Sequence, residues 1–120
     1  MASIFAATGD EGRWAIIDIG SNSVRLVIYD GPRRAPFPIC DEKALCGLGR
    51  DMDDGGALNA AAVESALSII ERFRALLALH GDPPTRVVAT AAVREARNGR
   101  DFVMSVERIG FAVDVIPGTE

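Results

Sequence analysis

Trp14-Ala-Ile-Ile-Asp-Ile-Gly-Ser-Asn-Ser-Val-Arg-Leu-Val-Ile-Tyr29 consists of two β-rich runs around a turn. Trp14 to Ile19 is a short apolar run, and Gly20 to Ser23 supplies turn-forming residues. Val24 to Tyr29 alternates, placing Val24, Leu26 and Ile28 on one face. Apolar runs of this length on either side of a Gly/Ser/Asn turn predict an antiparallel hairpin. Asp30-Gly-Pro-Arg-Arg34 predicts a second turn, and Phe37 to about Leu48 a third strand. Pro36 and Pro38 favour an edge position or a late start for it, because proline cannot donate to a ladder.

Beyond a glycine-rich loop over 47–56, the period changes from two to 3.6. Asn59 is a candidate N-cap, and Leu58 with Val63 has the spacing of a hydrophobic staple. Val63, Ala66, Leu67, Ile70, Phe73 and Leu77 form one apolar stripe, which Gly81, Pro83 and Pro84 terminate. Arg86 to Thr90 predicts a fourth strand, leading into a short helix from Ala92 to Arg97 that ends at Asn98-Gly99. A further helix over Arg100 to Arg108, with Phe102, Val103 and Val106 inward, stops at Gly110. Phe111 to Ile116 predicts a fifth strand, with Pro117-Gly118 as its end. Three antiparallel strands followed by helix–strand–helix–strand imply an α/β fold: a mixed five-stranded sheet with helices packed on it.

The 120 residues are one domain's length, and a composition of 48% hydrophobic and 25% charged residues is that of a globular chain, not a disordered one. The longest strictly apolar run, Ala75 to Leu79, is far short of a membrane span. Met1 to Gly12 lack the basic start and sustained apolar stretch of a signal peptide. Residues 1–13 are expected as a loose tail, and 14–120 as the folded unit. A formal charge of −4 argues against holding DNA by bulk electrostatics. Within this acidic chain, residues 86–108 stand out, with five arginines against three acids. Cys40 and Cys46, if on one strand, are too far apart to bridge, which fits reduced thiols in a cytoplasmic protein. With one histidine, His80, a zinc site is not expected.

Two places have the chemistry of anion binding. In Asp18-Ile-Gly-Ser-Asn-Ser23 a carboxylate ends a strand, and a glycine and three small polar residues follow. A tight loop of this kind converges N–H donors on one spot, although the same residues also make ordinary turns. Gly20 is where a positive φ or a close backbone approach would be needed. In Ala89-Thr-Ala-Ala-Val-Arg94, Thr90 lies at a strand-to-helix junction, with Arg94 one turn in. Taken alone, this segment reads more simply as an N-cap threonine followed by an exposed arginine.

The segments 15–26, 88–99 and 115–120, in that order, resemble the N-terminal domain of the exopolyphosphatase/guanosine pentaphosphate phosphohydrolase (Ppx/GppA) family. That family belongs to the actin/hexokinase/Hsp70-like superfamily with its ribonuclease H-like lobes, and the likeness runs from Trp14 to Glu120. The resemblance implies hydrolysis of terminal phosphoanhydrides of polyphosphate, or of guanosine pentaphosphate to tetraphosphate, with Mg²⁺. It makes Gly20, Ser21, Asn22 and Ser23 a phosphate cradle and gives Arg94 a phosphate contact. Arg25 and Thr90 become candidates for substrate or nucleotide, and Asp18 for metal through water. It puts Glu120 beside the family's water-activating glutamate, expected at the next position. It further implies a single lobe cut at the interdomain hinge without its second lobe, inactive alone, and a homodimer of the intact protein. The alternatives are a lobe of an ATP-dependent kinase of the same superfamily, or a guanosine penta/tetraphosphate sensor that does not hydrolyse.

Overall fold

The computed structural model describes residues 12–32, 34–49 and 56–116. The opening stretch forms the expected hairpin: β1 (Trp14–Ile19) and β2 (Ser23–Asp30) are antiparallel, with Trp14 opposite Tyr29 and Ile19 opposite Val24. β3 (Phe37–Leu45) pairs antiparallel with β2. The chain then crosses through α1 (Ala60–Leu79) to β4 (Thr85–Ala89), which lies parallel to β1. A single turn, α2 (Ala91–Glu95), and then α3 (Gly99–Ile109) lead to β5 (Val113–Val115), parallel to β4. The order across the sheet is β3-β2-β1-β4-β5. This is the mixed five-stranded sheet read from the sequence, with the proline-bearing strand at an edge.

Strand alternation puts Ala15, Ile17, Ile19, Val24, Leu26, Ile28, Val87 and Ala89 on one buried face. The helices bury Ile70, Phe73, Leu77, Val93, Phe102 and Val106 in the same core. α1 starts as expected: Asn59 accepts from the Ala62 N–H at 3.0 Å, over a buried Leu58. Its buried stripe is displaced from the expected one. Ala62 and Ile69 are buried, whereas Val63 and Leu67 are only half-buried. The reason is that α1 rests on both β2 and α3, so its apolar face is broader than a stripe aimed at a sheet alone. Among the described residues, no helix is long and apolar enough to cross a membrane.

Two strands are shorter than expected. β3 stops at Leu45 because the Cys46 and Gly47 N–H groups turn back to the Asn22 carbonyl, with Gly47 at φ +72°. β5 begins only at Val113, after the turn at Gly110, φ +126°, and Phe111, whose ring lies under the Arg74 guanidinium, 5.8 Å from its centroid. The opposite face of the sheet carries Asp18, Arg25, Asp41, Arg86 and Asp114, and is crossed by the ion pairs Arg25–Asp41 and Arg86–Asp114.

Candidate functional site

β1, β4 and β5 run parallel, so their carboxyl ends share one edge of the sheet. The chain leaves β1 for β2 on one side, while β4 flanks β1 on the other. Ligands of open α/β sheets bind at such a change of direction, outside the carboxyl ends. Three pieces of this chain meet there: the loop after β1, the junction after β4 and Ile116 after β5.

The loop is held by its carbonyls. Gly20 N–H donates to Ser23 O at 2.9 Å and closes the turn. Ser21 O accepts from Gly49 N–H at 2.7 Å, and Asn22 O from Cys46 and Gly47 N–H at 2.9 and 3.0 Å. A trans peptide points its N–H opposite to its C=O. The Asn22 and Ser23 N–H groups are therefore directed away from the 46–49 segment, toward the other side of the loop. Ser21 and Asn22 are exposed. Gly20 differs from expectation, since its φ is not positive. A Cβ there would meet only Ser23 O, at an ordinary 3.5 Å. Its missing side chain leaves space beside the loop and relieves no strain.

Thr90 ties this loop to the next. Its N–H and its hydroxyl both donate to the Ile19 carbonyl, at 3.1 and 3.2 Å, so the side chain does not cap α2. The hydroxyl proton is committed, which leaves Thr90 Oγ1 only its lone pairs to offer a ligand. Arg94 reaches across the ends of β4 and β5. It donates through Nη1 to Ile116 O at 3.2 Å and through Nη2 to Glu95 Oε2 at 2.8 Å, with its side chain 29% exposed. The edge thus brings together Gly20, Ser21, Asn22, Ser23, Thr90 and Arg94.

Asp18 and Arg25 stand apart from that set. They face each other across β1 and β2 on the charged side of the sheet, one or two residues short of the loop. Arg25 is held bidentately by Asp41, with Nε to Oδ1 at 2.9 Å and Nη2 to Oδ2 at 2.6 Å. This hydrogen-bonded pairing holds the Asp41 carboxyl below the usual carboxylate range and raises the Arg25 guanidinium above its ordinary value. A ligand that takes Arg25 must displace Asp41. No group of three or more His, Cys, Asp or Glu suited to a metal occurs among the described residues. The exposed Asp18 carboxylate alone fits a hydrated Mg²⁺ held through water, the usual state of that ion on proteins. Glu120 lies outside the described residues. Cys40 and Cys46 are free thiols, and burial pushes both up.

Sequence reasoning missed the α2–α3 turn, where Asn98-Gly99 reads as a plain helix stop. Asn98 clips the chain to the start of α1: its Oδ1 accepts from Leu58 N–H at 2.7 Å and its Nδ2 donates to Leu58 O at 3.3 Å. Gly99 packs so tightly on the Val93 carbonyl that a Cβ has no room. Beside them lies a hollow of about 250 Å³ bounded by Val93, Arg94, Gly99, Arg100, Val103 and Val115. Nothing in the local pattern signals a partner forty residues away.

Residues 27–120 match the Ppx/GppA phosphatase family. The chain is 30% identical over 97 residues to exopolyphosphatase 1 of Mycobacterium tuberculosis, covering 80% of this chain and 28% of that protein. It is 34% identical over 119 residues to exopolyphosphatase 2 of the same organism, covering 90% and 37%. The Aquifex aeolicus Ppx/GppA structure superposes with a TM-score of 0.82 at 31% identity, covering 88% of this chain and 35% of that one. An exopolyphosphatase from Cytophaga hutchinsonii gives 0.80 at 28%, covering 87% and 34%. At 13% identity and a TM-score of 0.53, the ethanolamine utilization protein EutJ of Carboxydothermus hydrogenoformans shares the fold alone. The chain spans about a third of the length of these family relatives. On its sequence match and its sheet topology together, the chain belongs to the Ppx/GppA phosphatase family.

Proposed function

We propose that this chain is the N-terminal lobe of a hydrolase that removes terminal phosphate from inorganic polyphosphate or from guanosine pentaphosphate. The observation that carries this reading is the sheet edge, where the Gly20–Ser23 loop and the Thr90–Arg94 junction are joined through one carbonyl, that of Ile19. Hydrolysis of a phosphoanhydride asks the protein to position the phosphate, neutralise developing charge and orient a water. The Ser23 amide, the small side chains of the loop and the space beside Gly20 suit non-bridging phosphate oxygens. Arg94 has five N–H donors, of which the bonds to Ile116 and Glu95 use two. The remainder are available to a phosphate at the same edge. Mg²⁺, when bound with the substrate, neutralises phosphate oxygens, and Asp18 would orient its water shell.

In this reading the intact protein has a second lobe that closes on the phosphate chain, and its water-activating glutamate follows Glu120. Closure excludes bulk water and completes the site, so the 120-residue chain alone is expected to release no phosphate. A cytoplasmic, homodimeric intact enzyme that binds neither DNA nor a membrane belongs to the same reading. The test is phosphate release from polyphosphate and from guanosine pentaphosphate by the intact protein and its Arg94→Ala variant. The variant is expected to lose roughly 100-fold in kcat/KM, the scale of removing one donor to a developing oxyanion. Its melting temperature should fall by no more than a few degrees, because the bonds it loses to Ile116 and Glu95 face solvent. Activity kept within a few-fold overturns the role of Arg94, and an intact protein that hydrolyses neither substrate overturns the reading.

A further inference from the structure

We infer that Arg100 is a second anchor for the phosphate chain, across the 250 Å³ hollow from Arg94, and that it holds the phosphates beyond those at the loop. The inference rests on the reading of the edge as a phosphate site and extends it in one direction, along the start of α3. Of the five arginines in the positive segment 86–108, Arg86 is paired with Asp114 and Arg94 with Glu95. Arg100 is exposed, and among the described residues no hydrogen bond or ion pair engages its side chain. It occupies the first turn of α3, where the helix dipole disfavours a cation. An anion bound between Arg94 and Arg100 removes that penalty and meets both guanidinium forks.

The walls of the hollow favour this use. Val93, Val103 and Val115 line it together with the two arginines, so part of a bound anion's surroundings is apolar and its attraction to the guanidinium groups is less screened than in bulk water. The position of Arg100 is fixed by its neighbours: Gly99 packs on the Val93 carbonyl and Asn98 is clipped to Leu58. Ile116, which takes the Arg94 Nη1 bond, continues from β5 at the rim. Among the described residues that line this hollow none is acidic, so a phosphate chain leaving the Gly20–Ser23 loop past Arg94, which keeps Glu95 on its Nη2, meets Arg100 next.

The experiment is an amide-detected titration of the 120-residue chain with pyrophosphate, with inorganic polyphosphate of about ten units and with a nucleoside triphosphate. It compares the unsubstituted protein with Arg94→Ala, Arg100→Ala, Arg100→Lys and Arg108→Ala. Arg108, exposed in the last turn of α3, controls for net charge. Arg94→Ala is expected to weaken all three ligands. Arg100→Ala is expected to weaken the long chain about two- to fivefold, the scale of one solvent-facing charge contact. Its pyrophosphate affinity should match the unsubstituted chain, and Arg100→Lys should recover part of the loss. If Arg100→Ala behaves as Arg108→Ala while Arg94→Ala still weakens binding, the Arg100 assignment is overturned and the edge reading survives. A loss confined to the nucleoside triphosphate overturns the assignment to a phosphate chain in favour of a nucleoside pocket. No binding of any ligand by the unsubstituted chain overturns both.

Discussion

Gly99→Ala tests the packing beneath the candidate edge, and it sets two rules against each other. Alanine is the better helix former by about 1 kcal/mol, so in an exposed helix the change stabilises. Here the new methyl would overlap the Val93 carbonyl oxygen and stand 3.1 Å from its carbon. Restoring ordinary contact near 3.5 Å requires one segment to retreat by about an ångström or more. Neither side yields easily. Val93 is 3% exposed with its N–H on Thr90 O, and Asn98 is pinned to Leu58 from both ends of its amide. Overpacking in such settings costs roughly 1–3 kcal/mol, and the rigid surroundings argue for the upper end. Net of the propensity gain, the expected loss is about 2 kcal/mol. For a domain of this size that is a fall in melting temperature of roughly 8 °C, read by scanning calorimetry. Ser68→Ala, exposed on α1, should move stability by no more than about 0.5 kcal/mol and sets the scale. A melting temperature for Gly99→Ala equal to or above that of the unsubstituted protein would refute the close approach, and with it the fixed placement of Arg100.

Gly20→Ala should leave melting within about 2 °C, because its methyl meets only Ser23 O at 3.5 Å, yet it should weaken polyphosphate binding by filling the space beside the loop. Equal binding by both proteins rules Gly20 out of the cradle. Asn98→Ala removes both bonds to Leu58 and should cost about 1–2 kcal/mol in urea unfolding, whereas a loss below about 0.5 kcal/mol means the clip is not formed in solution. The Asp41 carboxyl, lowered by Arg25, should titrate by NMR below an ordinary aspartate and return toward it in Arg25→Ala. Because its folded pKa is depressed, the pair stabilises above the unfolded carboxylate pKa, and that contribution fades as pH falls through the folded one. It should make no difference between neutral and mildly alkaline pH. Identical Asp41 midpoints in the two proteins would remove the pair.

What could be read in advance was local. Asn59 caps α1 through an N–H three residues on, and the Gly20–Ser23 turn joins adjacent strands, so neighbouring residues contain the whole signal. The family resemblance likewise assigned both Gly20–Ser23 and Arg94 to phosphate, and the structure sets them after the carboxyl ends of β1 and β4. What could not be read was the choice of distant partner. The Thr90 hydroxyl passes over its own helix for a carbonyl 71 residues earlier, and Arg25 takes an acid 16 residues later on a neighbouring strand. Asn98, with the residue type and position of an N-cap, spends its side chain on Leu58. In each case the local alternative was chemically sound, and tertiary proximity offered a competing acceptor or donor.

The join between β1 and β4 also has a consequence for how the chain assembles. Ile19 and Thr90 are separated by a hairpin, an edge strand and the whole of α1. The hairpin and α1 can each form from sequence neighbours, whereas parallel pairing of β1 with β4 must first close that long loop. Such non-local pairings are reached late because the loop entropy is lost before their contacts form. The candidate edge is then among the last parts of this chain to form, as the nascent chain delivers its second half. A phosphate chain that bridged the two loops, as proposed, would bind only the finished state and stabilise it against reopening at that seam.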